Sequence, residues 1–153
     1  MSTIIDIKTV LAQQYAAITL PAPFNTAPTV FTSEAAALNQ APPFVVVYDS
    51  QSQSINRLSS DRYQVSRLFY ARLYTHRIDD SGSDATESNK DEASNCIEPI
   101  EDYFMFRSSL LDSTSVIEHV IVRDSSSTVI DTGNDTYVGV VFEHLITYYR
   151  YKS

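Results

Sequence analysis

Tryptophan is absent from this chain, cysteine occurs once and glycine three times in 153 residues. A lone Cys96 excludes an internal disulfide and fits a reducing compartment. The carboxylates near it in sequence, Asp91, Glu92, Glu98 and Glu101, disfavour its thiolate, which makes it a poor nucleophile. Three glycines leave little for a phosphate cradle or a dinucleotide turn, and no GxSxG elbow occurs. No run is long enough to span a bilayer. The opening residues, MSTIIDIKTVLAQQYAA, lack the basic stretch of a secretory signal, so no export signal is expected there. Histidines 76, 119 and 144 contain no pair three to five residues apart, so no metal site is expected. Asp79, Asp80 and Asp84 lack the alternation and the distant glutamate of a calcium loop. These absences point away from catalysis and from a bound cofactor.

The net charge of −8 is unevenly placed. Residues 79–102 hold nine acidic side chains against Lys90 alone, and the rest of the chain balances at ten of each sign. The chain is thus a neutral body with an acidic insert, which would repel phosphate backbones and disfavours sequence-specific nucleic-acid binding. Tyrosine is abundant at ten, with seven phenylalanines. An apolar ring with a polar tip suits half-buried strands and interfaces.

Periodicity predicts a helix over residues 3–17, with Ile4, Ile7, Leu11 and Tyr15 on one stripe and Pro21 and Pro23 beyond its end. Pro42 and Pro43 precede a buried strand over 44–48, and the serine-rich residues 49–60 read as a connection. Residues 62–76 alternate as a long strand, with Val65, Arg67, Phe69, Ala71, Leu73 and Thr75 on one face and Ser66, Leu68, Tyr70, Arg72, Tyr74 and His76 on the other. Residues 78–95 read as an acidic loop, with 81–89 expected to be mobile. A second helix is expected from about Glu92, with Pro99 in its first turn. Strands follow over 116–123, at 129–130 and over 137–151. The expectation is one α+β domain spanning 1–153: a mostly antiparallel sheet, two main helices packed on one face, and a long β-hairpin.

Arg57, Arg62, Arg67, Arg72 and Arg77 recur every five residues. On a regular strand an odd spacing alternates faces, so no continuous basic track forms. Ion pairs with the insert or with a neighbouring subunit are the better reading. The candidate contact residues are Asn56, Arg57, Arg62, Arg67, Arg72, Asp79, Asp80, Asp84 and Glu87, with 56–62 as the contact tip.

The order of these motifs resembles the tail terminator (tail completion) proteins of long-tailed bacteriophages. It runs from the N-terminal helix through ALNQAPPFVVVYDS and RLSSDRYQVSRLFYARLYTH, then a polar break and helix, to DTYVGVVFEHLITYYR. The resemblance covers nearly the whole chain and rests on order, since each motif is generic. It implies a non-enzymatic subunit of a homo-oligomeric, six-fold ring. That ring caps the tail tube, ends its polymerisation and joins the tail to the neck or connector. The implied partners are further copies of the chain, the tail tube protein, the neck or connector protein and the sheath protein. The implied place is the virion's tail–neck junction, after assembly in the host cytoplasm. The alternative is another neck component, a head-closure or connector protein, and after it a small ligand-binding domain.

Overall fold

Apolar residues four apart set the first element. In a computed structural model of the chain, which describes residues 4–33, 40–78, 83–105, 116–121, 126–133 and 135–151, helix α1 (Ile4–Ala16) buries Ile7, Leu11 and Tyr15 along one stripe. Two further helices follow later in the chain, α2 (Ser83–Ser94) and α3 (Ile97–Met105). The strands are β1 (Thr29–Phe31), β2 (Phe44–Arg57), β3 (Arg62–Ile78), β4 (Val116–Ile121), β5 (Ser127–Asp131) and β6 (Thr136–Tyr151). They form one sheet in the order β1-β2-β3-β6-β4, with β5 also on β6. Among the described residues, only the β1–β2 pairing is parallel. The architecture is α+β.

The helices share one face of the sheet. Ile7, Leu11 and Tyr15 of α1, Ala93 of α2, Cys96 between α2 and α3, and Ile100 and Phe104 of α3 form one core with Val45, Val47, Val65, Phe69, Leu73, Val140, Phe142 and Ile146. Fully burying one such aliphatic or aromatic side chain contributes about 1.5–3 kcal/mol, so this layer dominates stability. Pro99 is the third residue of α3, where it breaks no helical hydrogen bond, and Ile100 and Phe104 point inward from the turns that follow. A smaller cluster occupies the opposite face: Phe44, Val46, Tyr74, Ile130 and Tyr137. Phe44 and Tyr74 stack at 4.6 Å, and Tyr137 meets both edge-on.

Three expectations change. The connection over 49–60 is largely strand: β2 runs on to Arg57 through a register shift between Asp49 and Gln53, with Gln51 at φ 66°. Exposed on both faces, this part carries no apolar alternation, and its backbone pairing with β3 holds it. The acidic loop over 78–95 is helix α2 from Ser83 onward, which includes most of the segment expected to be mobile. Within α2 Ala93 is buried, with Cys96 just past its end, too few apolar positions to reveal a helical stripe. Glu92 anchors α2 to the sheet at 2.7 Å from His76.

The third change is a bulge. β3 shifts register between Tyr74 and His76, leaving Thr75 as the extra residue. The Thr75 hydroxyl donates to the Val138 carbonyl at 3.0 Å. Alternation therefore inverts after Thr75. His76 turns to the helical face, against Phe24 and Glu92, and Arg77 turns to the opposite one, over Tyr137.

Candidate functional site

The outer half of β2 and the turn to β3 form an exposed arm along the sheet edge, while β3 beside it stays paired to β6 as far as Tyr151 and keeps Val65 and Arg67 buried. Every residue from 51 to 61 is exposed, including Ile55 at 55 % and Leu58 at 40 %. Its turn closes where the Leu58 and Ser59 amides donate to the Arg62 carbonyl. Arg57 Nε donates to the Ser59 carbonyl at 3.1 Å, and Ser59 Oγ donates to Asp61 at 2.7 Å. Large exposed apolar groups on a polar arm are the kind of feature a partner covers.

The five arginines separate by face. Arg62, Arg72 and Arg77 lie opposite the helices and sit over the rings of Tyr149, Tyr48 and Tyr137 at 4.8, 4.8 and 5.6 Å. Uninterrupted alternation would have put Arg77 beside Arg67; the Thr75 bulge puts it with Arg72. Such stacks contribute about 0.5–1 kcal/mol each at exposed sites and hold the guanidinium flat against the sheet. Asn56 and Arg57 are exposed at the end of the arm.

Arg67 departs from the expected role. It is buried on the helical face, donating from Nε to Asp49 Oδ1 at 2.7 Å and from Nη1 to Gln53 Oε1 at 2.6 Å, with Nη2 on Asp49 Oδ2. It braces the β2 irregularity from within and is not a surface contact. Burial alone would raise the Asp49 carboxyl. The Arg67 hydrogen bonds, the Gln51 amide and the nearby Arg67 and Lys8 charges outweigh that and hold it below its usual value. Arg67→Ala leaves the half-buried Asp49 charge without its guanidinium partner, and is expected to lower stability by about 2 kcal/mol in urea unfolding. Arg67→Met with Asp49→Asn should recover a large part of that loss.

The acidic candidates divide as well. Asp79 and Asp80 lie outside the described residues. Asp84 belongs to α2, and Glu87 is exposed there, 3.6 Å from Lys90. More of the exposed acidity sits where α2 meets α3. A shallow groove there is lined by Ser94, Asn95, Glu98, Pro99 and Asp102. Met105, 66 % exposed, lies near it at the end of α3.

The strongest polar cluster is internal. Tyr15 Oη, His144 and His119 form a chain, with His144 Nε2 2.6 Å from Tyr15 and His144 Nδ1 2.7 Å from His119 Nε2. Phe104 packs edge-on against both imidazoles, which stack 4.9 Å apart. Burial pulls His119 down to about 4. Burial, and then the neighbouring His119, pull His144 well below its ordinary value. Burial pushes the Tyr15 hydroxyl well up. His144 is fully buried, so no substrate atom reaches it. Among the described residues, no three His, Cys, Asp or Glu side chains are grouped to hold a metal.

Twenty-five residues separate the two histidines, so sequence spacing missed them. The β4–β6 register that pairs Ile121 with His144 brings them together. Cys96 is also inert, and here burial is the cause: it pushes the thiol up to about 11. The chain matches no protein-family model, and no curated protein is significantly similar to it.

Proposed function

We propose that this chain is the subunit of a ring that caps a bacteriophage tail tube, ends its growth and joins the tail to the neck. The observation that carries the reading is the division of the surface. An exposed arm with arginines and apolar side chains lies at one end of the sheet, and an acidic helical surface lies at the other. Two unlike patches on one subunit suit a head-to-tail contact, and such contacts close into rings when the rotation per subunit divides a full turn. The order of sequence motifs adds the tail terminator likeness. On this reading the subunit is non-catalytic and sits at the virion's tail–neck junction. Its partners are its own copies, the tail tube protein, the neck or connector protein and the sheath.

The test is to add the purified chain to polymerising tail tube protein and image the products in negative stain. The expected result is tubes with a ring density at one end and arrested growth. A chain that binds no tube end and is missing from virions would refute the reading.

A further inference from the structure

We infer that the β2–β3 arm of one copy seats in the α2–α3 groove of a second copy. The inference deepens the proposed function and rests only on its self-association part.

The two surfaces match in kind. The arm offers Ile55 and Arg57 on its helical face, Leu58 and Asp61 in its turn and Arg62 on the opposite face, and exposed Arg150 and Tyr151 at the end of β6 flank it, since Arg62 pairs with Tyr151. The groove offers Pro99 and the nearby Met105 beside Glu98 and Asp102, with exposed Glu87 and Asp91 along α2. Apolar groups can therefore meet apolar groups while each arginine finds a carboxylate. Opposite potentials of this kind set register and exclude the reversed arrangement, in which arm meets arm and groove meets groove.

The two surfaces cannot meet within one molecule. α2 is tied to the sheet at His76, fourteen residues along β3 from Arg62 at the turn of the arm. At about 3.3 Å per residue that places them roughly 45 Å apart. The arm also sits on the β2 side of the sheet, while Ser94, at the groove, bonds to Ser127 of β5 on the other side. A second copy is thus the occupant whose charge and apolar pattern are already present. The resulting contact is heterologous.

The test uses the full chain and sedimentation velocity. One variant reverses the arm, Arg57→Glu with Arg62→Glu, and another reverses the groove, Glu98→Arg with Asp102→Arg. Each is expected to weaken self-association at least tenfold while keeping the wild-type far-UV circular dichroism. Mixed in equal amounts, they bring wild-type arm to wild-type groove and reversed arm to reversed groove, and should therefore regain assemblies of alternating variants as large as the wild type's. A chain carrying all four reversals should associate like the wild type. Ile55→Ser with Leu58→Ser weakens association without touching charge, and covers the case in which a reversal disturbs folding. Variants that all associate like the wild type would overturn this contact and leave the ring reading standing. A four-reversal chain that stays monomeric would overturn the pairing. A wild-type chain that is monomeric at every concentration and on tail tubes would overturn both.

Discussion

Gly139→Ala is expected to be among the most damaging single substitutions in this chain. A Cβ at this position would lie 2.1 Å from the Leu73 carbonyl oxygen and 3.0 Å from Ile130 Cδ1. The carbonyl cannot step aside, because Leu73 is fixed between Val45 and Val140 in the middle of the ladder. Gly139 faces Tyr74 across the strands beside the Thr75 bulge, and the missing side chain is what lets the two backbones close there. Loss of at least about 3 kcal/mol is expected, through overpacking against backbone. A fall in the urea midpoint would report it. Gly133→Ala is the control: its φ is +90° but nothing lies within 4 Å, so strain alone acts. That variant should cost only about 1 kcal/mol.

Acid is expected to weaken the fold before its carboxylates titrate. His119 and His144 are held neutral in the folded chain, His119 at about 4 against 6.5 when unfolded. Between those values the unfolded chain binds more protons, so stability rises with pH and is lost as pH falls from 6.5 toward 4. A displacement from 6.5 to about 4 in His119 corresponds to on the order of 3 kcal/mol. Asp49 acts in a lower window. Its carboxyl is lowered from 3.8, so its contribution is present above that pH and is lost below it. Thermal melts from pH 7 to pH 4 should show a falling Tm in the wild type. The slope should flatten in the double variant His119→Leu, His144→Met. An unchanged slope in that variant would place the acid sensitivity elsewhere.

The parts of the fold visible in the sequence are those whose side chains face one core. α1 declares itself through Ile7, Leu11 and Tyr15, and β6 through Val138, Val140, Phe142 and Ile146, because each element has one dry face and burial imposes a period. The arm carries no such period, since water reaches both of its faces. α2 is similar: it shows the core little beyond Ala93, so acidity masked the helix. Asn56 and Arg57 are exposed at the arm, as a contact role requires, whereas Arg67 is buried and looks like any other arginine until the β2 irregularity brings Asp49 and Gln53 to it. The histidine pair was invisible for a different reason. It depends on a strand register, and register is a long-range property that local spacing does not encode.

The Thr75 bulge also determines where this chain can change length. A one-residue insertion or deletion inside a strand ordinarily swaps the two faces of everything beyond it. Here only His76, Arg77 and Ile78 follow the irregularity before β3 ends. A slip at this point is confined to three side chains, whereas the same slip near Val65 would turn Phe69, Ala71 and Leu73 out of the core. The far end of β3 is therefore the segment of the strand most open to variation in length among descendants of this sequence, and its central stretch the least.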